Sequence, residues 1–238
     1  MRLYNSRPGT LEGYDCPKCL NRGTYMIEEE TYEIVLDCDC MQFRSDKRMI
    51  ERSGLALLLE KYTLDNFETT NEWQKKVKGL AEHFIEESKG KWFVMLGNSG
   101  AGKTMLCTSV TSELMKRGYP AKYTIFRELT TKLKPLMNTD EYIREIFEYK
   151  RVNVLYIDDF WKYGYQRIPS EADVSIALEI LNYRYNNKLT TIISSEHLID
   201  SILAIDEALG SRIFEMCGDQ YLIQIDKDTS KNYRLRNF

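Results

Sequence analysis

Trp73, Val77, Leu80, Ala81, Phe84 and Ile85 recur in steps of three and four. That spacing puts an apolar stripe along one side of a helix opening near residue 71. Lys89 and Gly90 close it. Beyond this point the pattern switches period repeatedly. Short apolar runs predict strands at KWFVML, AKYTIF, VNVLYID, TTIISS and YLIQI. Between them the pattern predicts a helix from Lys103, one or two helices over 127–149, a helix over 171–187 and short helical pieces over 198–216. Strands alternating with helices imply an α/β fold, a parallel sheet covered on both faces. A run as apolar as VLYI suits burial from both sides.

Residues 1–50 have a different character. Four cysteines bracket a β-prone stretch, TYMIEEETYEIVLDC. The predicted organisation is a small domain over 1–50, a linker over 51–70 and a larger domain over 71–238. The chain of 238 residues is 43% hydrophobic, enough for a core and too much for disorder. Its net charge of -3 does not signal a strongly basic nucleic-acid protein, though a local basic surface is compatible with it. The stretch MRLYNSRPGTLEG holds no apolar segment of signal-peptide length, and no run of 18 apolar residues occurs. The expectation is a cytoplasmic protein without a membrane span. Thiols stay reduced in that compartment, so six cysteines point to metal binding or burial rather than disulfides.

Cys16 and Cys19 form a C-x-x-C pair, and Cys38 and Cys40 a C-x-C pair. A hairpin that brings two such pairs together surrounds one ion tetrahedrally, and four thiolates leave no open coordination position. The expectation is a structural zinc site, with an iron–sulfur cluster or unrelated buried thiols as alternatives. So small a segment lacks the apolar bulk to fold alone, and the metal would supply folding energy. Cys107 and Cys217 sit among apolar neighbours and read as core. His83 and His197 lack ligand spacing and read as structural.

The most informative stretch is Gly97-Asn98-Ser99-Gly100-Ala101-Gly102-Lys103-Thr104, G-x-x-x-x-G-K-T between a predicted strand and a predicted helix. Glycines let the backbone curl so that successive N–H groups form a nest for phosphate oxygens, and the helix N-terminus adds partial positive charge. Lys103 would reach the β- and γ-phosphates of ATP, and the Thr104 hydroxyl would ligate magnesium. Hydrolysis also needs acids. Asp158 and Asp159 close the apolar run VLYI at the C-terminal end of a strand, where open α/β sheets bind ligands. Asp158 would hold Mg2+ through water, and Asp159 would polarise the attacking water.

Further positions are weaker candidates. Ser195, with Glu196 as competitor, ends the strand TTIISS within reach of a γ-phosphate or lytic water; the alternative is an ordinary turn. Arg212 could enter a neighbouring subunit's site and stabilise phosphoryl charge, or be a solvated surface residue. Arg234 and Arg236 could contact bound nucleotide in cis, or be solvated.

Together these motifs resemble the DnaC/DnaI-type helicase loaders, AAA+ ATPases close to the IstB transposition ATPases. The resemblance covers about 62–238 and rests on YTLDNF, GNSGAGKT, VLYIDDF, TIISSE, GSRIFEMC and NYRLR. It implies a P-loop AAA+ core of the ASCE class with strand order 5-1-4-3-2. It also implies Arg212 as an arginine finger, Arg234 in the sensor 2 region and a homo-oligomer with ATP at subunit interfaces. Ser195 stands where the family often has Asn. The cysteine cluster looks like the zinc-bearing helicase-binding domain of DnaI-type and phage loaders. The implied partners are a DnaB-type replicative helicase and single-stranded DNA. The segment 124–150 matches a helical region lining the DNA path, where Phe126, Arg127, Lys132 and Lys134 would supply stacking and phosphate contacts or else form a solvated face. Two other functions remain open: an IstB-like transposition-assisting ATPase, and a nucleotide-switched scaffold with little turnover.

Overall fold

The computed structural model describes residues 2–12, 15–29, 32–38, 40, 41, 44, 55–59, 61–164 and 168–235. The chain divides into two compact units, Met1–Arg52 and Ser53–Phe238.

In the first unit, helix α1 (Arg2–Asn5) precedes strands β1 (Thr24–Glu29) and β2 (Tyr32–Asp37). The strands pair antiparallel, with Thr24 opposite Asp37 and Ile27 opposite Ile34. The Asn5 side chain ties α1 to β1, donating to the Met26 carbonyl at 2.8 Å and accepting from the Met26 amide at 2.9 Å. A two-stranded ribbon is marginally stable in water. Among the described residues here the four cysteines form a buried core cluster, with Tyr25 packed against them.

The second unit carries α2 (Ala56–Leu59) and α3 (Glu72–Glu87), then β3 (Trp92–Gly97) and α4 (Lys103–Lys116). Next come β4 (Ala121–Ile125), α5 (Phe126–Leu133), α6 (Asp140–Arg151) and β5 (Val154–Asp158). α7 (Glu171–Asn186), β6 (Thr190–Ser195), α8 (Ile199–Ile205), α9 (Glu207–Cys217) and β7 (Leu222–Ile225) complete it. The strands form one parallel sheet in the order β4-β5-β6-β3-β7. Counted from β3 as the first, that is 5-1-4-3-2 read from the other edge. All residues of β3, β5 and β6 are buried, as the apolar runs of β3 and β5 require.

Local chemistry sets the helix ends. Asn71 and Gln74 form a capping box at the start of α3, and Ser170 and Asp173 another at α7. α3 buries Val77, Ala81, Phe84 and Ile85. Phe84 lies 5.2 Å from Phe93 and 5.1 Å from Tyr221, ring centre to ring centre. Each such buried side chain contributes about 1.5–3 kcal/mol. The predicted helical region 127–149 is two helices, because Lys134–Leu136 tightens into a 3-10 turn carrying Pro135 and Asn138 follows at φ 68°. No helix among the described residues is long and apolar enough to cross a membrane.

The expected structural residues are so placed. Cys107 and Cys217 are buried. His83 Nδ1 sits 2.6 Å from the Tyr221 hydroxyl, and His197 Nε2 lies 3.0 Å from the Trp161 carbonyl oxygen.

Candidate functional site

β3 ends at Gly97, α4 opens at Lys103, and the glycine turn spans the gap. The turn needs glycine for space as well as for φ. Gly97 has φ 97°, and a Cβ there would lie 2.1 Å from the Ile225 carbonyl oxygen. Gly100 has φ 71°, and its Cβ would lie 2.0 Å from Asn232 Oδ1. The chain after β7 is therefore built against this turn. The Asn98 side chain donates to the Asp228 carbonyl at 2.8 Å, and the Tyr233 amide donates to the Gly100 carbonyl at 3.0 Å. Lys103 folds back along the turn, its ammonium donating to the Gly97 and Asn98 carbonyls, both at 2.8 Å. Burial draws its pKa down, against the charges of Glu196 and Asp159.

The parallel register sets the acids beside the turn. Asp158, the last residue of β5, is buried. Its Oδ1 accepts from the Thr104 hydroxyl at 3.2 Å, from the Asp159 amide at 3.1 Å and from the Ser194 hydroxyl. Its Oδ2 accepts from the Tyr123 hydroxyl at 3.3 Å. Residues far apart in sequence, from α4, β4 and β6, converge on one carboxylate at the end of β5. Asp159 follows at φ 50° and Trp161 at φ 57°. Left-handed backbone at non-glycine positions costs on the order of 1–3 kcal/mol each and persists only where the surroundings hold it. They do so here. The Phe160 amide donates to the Ser194 carbonyl at 2.8 Å, Phe160 stacks on Trp161 at 4.6 Å, and both rings are fully buried.

A cavity of about 280 Å³ joins these parts. Ser99, Lys103, Thr104, Asp159 and Arg234, all expected from sequence, line it. So do Lys162 and Glu196, and Tyr62, Asn66 and Phe67 from the YTLDNF stretch. Lys162 has no motif to mark it. Its ammonium lies 3.2 Å from both carboxylate oxygens of Asp159 and 3.0 Å from Glu196 Oε1. Burial and the charge of Asp158 raise the Asp159 pKa, with Lys162 opposing. Burial also raises that of Glu196, but hydrogen bonds from Lys162 and Ser99 outweigh it and the net shift is downward.

Several expected residues stand elsewhere. Ser195 is not at the site: its hydroxyl donates to the Phe160 carbonyl at 2.7 Å and accepts from the His197 amide at 3.1 Å. Its neighbour Ser194 donates to the Asp158 carboxylate and accepts from the Asp159 amide at 3.2 Å, because adjacent strand residues point to opposite faces. Of the two candidates, only Glu196 reaches the cavity. Phe126 cannot stack on a base: it is buried, edge-on to Phe160 at 4.9 Å, where it supports the acid-bearing turn. Lys132 pairs with Glu145 at 2.5 Å and Lys134 with Asp173 at 2.7 Å, so two of the expected phosphate contacts are already engaged. Arg127 is exposed. Arg212 lies on α9, away from the cavity of its own chain, donating to the Ala208 carbonyl at 2.8 Å. Arg236 lies outside the described residues.

In the first unit, one sulfur from each of Cys16, Cys19, Cys38 and Cys40 lies within 4.8 Å of the other three, and all four residues are buried. Cys16 and Cys38 are 3.7 Å apart, Cys19 and Cys40 3.4 Å. Zinc–sulfur bonds of about 2.3 Å give a tetrahedron with edges of about 3.8 Å, so the donor set fits. Burial raises the Cys19 pKa, but the Gly23 amide and the neighbouring thiols outweigh it and bring it down to about 6. Burial pushes Cys40 up to about 12. Thiolates are the zinc-binding form, so metal binding would release the thiol protons.

The family model described as IstB-like ATP binding protein matches residues 21–237. The phage-like element PBSX protein XkdC of Bacillus subtilis (strain 168) is 32% identical over 237 residues, covering 93% of this chain and 86% of its own. The replicative helicase loader DnaI of the same organism is 22% identical over 196 residues, covering 81% of this chain and 61% of that one. The crystal structure of the DnaC helicase loader superposes with a TM-score of 0.60 at 23% identity, over 71% of this chain and 98% of that one, which shows the AAA+ fold.

Proposed function

The chain belongs to the IstB-like ATP-binding family, and on that premise we propose that it is an ATP-hydrolysing loader placing a DnaB-type replicative helicase on single-stranded DNA. The observation that carries the ATPase part is the Thr104 hydroxyl 3.2 Å from Asp158, in a cavity lined also by Lys103 and Asp159. Lys103 would leave the Gly97 and Asn98 carbonyls for the phosphates. Thr104 and Asp158 would hold Mg2+, which would supply positive charge to offset the charge developing on the phosphates. Ser194 and the Asp159 amide keep the Asp158 carboxylate facing that position. Asp159 would accept the proton of the attacking water as the terminal phosphoryl group leaves ADP. Tyr62, Asn66 and Phe67 would close on the rest of the nucleotide, with Arg234 in cis. Arg212, outside its own cavity, would act on the site of an adjoining copy in a homo-oligomer.

The cysteine unit would be a zinc-held module for the helicase. Contact with single-stranded DNA falls to the outer side of α6 rather than to Phe126. Ile143 and Phe147 are exposed there beside Arg144, and the Arg151 guanidinium lies 4.5 Å over the Phe147 ring. An exposed ring flanked by arginines suits sequence-tolerant stacking.

Two measurements test this reading. Wild type should release phosphate from ATP when helicase and single strand are present, and Asp159→Asn should abolish that release with ATP affinity kept. The full chain should capture the helicase, and a chain lacking residues 1–52 should not. No turnover under any condition rejects the ATPase role, and helicase capture without the cysteine unit rejects the docking role.

A further inference from the structure

Lys162 has no part in the mechanism above, yet its side chain lines the cavity with Lys103 and Thr104 and bridges Asp159 and Glu196. We infer that Lys162 is the residue by which this site distinguishes a nucleoside triphosphate from a diphosphate, its ammonium meeting a terminal phosphate oxygen. The inference rests on reading the cavity as an ATP site.

Three features support it. First, the ammonium's three N–H donors meet the two Asp159 oxygens and one Glu196 oxygen, and giving up one of the paired contacts to Asp159 frees a donor for a ligand oxygen while both acids stay bound. Second, the carboxylates Glu68, Asp158, Asp159 and Glu196 stand at the site with the cations Lys103, Lys162 and Arg234. A terminal phosphate approaching Asp159 and Glu196 meets repulsion unless a cation stands between them and it, and Lys162 already stands on both. A diphosphate carries no charge to that position. Third, the lysine is rooted. Its amide donates to the Asp159 carbonyl at 3.0 Å, and the residue before it, Trp161, is fully buried at φ 57°. The backbone that launches the side chain is thus fixed, while the side chain itself stays 37% exposed and open to a ligand. An ordinary surface ion pair needs neither the strained root nor two acids held at once.

The test is equilibrium binding of Mg–ATPγS and of Mg–ADP to the full-length wild type, Lys162→Met and Lys162→Arg, with thermal melting to confirm that each variant is folded. Wild type should prefer the triphosphate analogue. Lys162→Met should lose that preference by roughly 10- to 100-fold, the size of a charge-assisted contact, with Mg–ADP affinity unchanged. Lys162→Arg, which keeps the charge, should retain a preference. A Lys162→Met protein that keeps the preference, or that weakens for both nucleotides equally, overturns the inference while the ATP site stands. A Lys162→Arg protein as indifferent as Lys162→Met also overturns it. Wild type that binds neither nucleotide rejects the ATP site itself, and this inference with it.

Discussion

Arg184 is fully buried on α7, and among the described residues none of its hydrogen bonds goes to a carboxylate. Its guanidinium donates instead to main-chain carbonyls. Nη1 reaches Tyr149, Lys150 and Val152 at 3.1, 3.2 and 2.8 Å. Nη2 reaches Asn153 at 3.3 Å and Thr190 at 2.5 Å, and Nε reaches the Thr191 hydroxyl at 2.9 Å. One side chain thereby caps the last turn of α6 and ties it to the lead-in of β5 and the start of β6, the strands that carry Asp158 and Ser194. Burial draws the pKa down to about 9, and the ring of carbonyl dipoles stands in for the lost water. Replacing it with Met keeps much of the volume and strands these acceptors. Each orphaned buried carbonyl costs about 1–3 kcal/mol, so five at full cost would exceed what a domain can lose. The C-terminal turn of α6 should therefore fray and let water reach its carbonyls, leaving a loss of about 3–5 kcal/mol, the range for breaking a buried charged network. Urea unfolding followed by tryptophan fluorescence reads this directly, since Trp92 and Trp161 are fully buried in the same unit. The midpoint should fall, and the thermal transition should drop by about 10 °C. Arg184→Lys, with a charge but no fork, should lie between. A loss below about 1 kcal/mol for Arg184→Met would show that the carbonyl cage contributes little, and the reasoning would fail.

Two further outcomes are expected. Elemental analysis of purified protein should find zinc at near one per chain, and a strong chelator should remove it and expose the β1–β2 amides to hydrogen exchange; near-zero zinc and iron would reject the metal site. Asp173 is raised by burial but held down to about 2 by Lys134, by the Ser170 hydroxyl and amide and by Tyr163. Its folded pKa lies below the unfolded value, so its stabilisation is present above about pH 4 and lost as pH falls toward 2. Asp173→Asn should flatten that acid limb in pH-dependent unfolding, and an unchanged limb would show that Asp173 is not its source.

Much of the site was legible because short-range chemistry specifies it. The glycine turn, Lys103 and Thr104 are adjacent in sequence, and Asp158 and Asp159 end an apolar run. Ser195 was misplaced by one residue because a strand alternates faces, and only the pairing of β5 with β6 shows which hydroxyl meets the acid. Phe126 was misread because an aromatic at a helix start looks alike whether it meets solvent or Phe160. Lys162 was missed because its partners, Asp159 and Glu196, lie on different strand ends and no spacing rule links them.

The amino-acid sequence alone determined the order of the sheet strands and their helices, the parallel sheet, the phosphate turn, the acid pair and the two close cysteine pairs, since each follows from local periodicity or from residues a few positions apart. The tertiary structure alone decided which serine serves the acids, that the chain after β7 seals the glycine turn, and that a lysine spans two carboxylates in the cavity. Those facts depend on long-range register and on packing between distant segments, which no local pattern encodes.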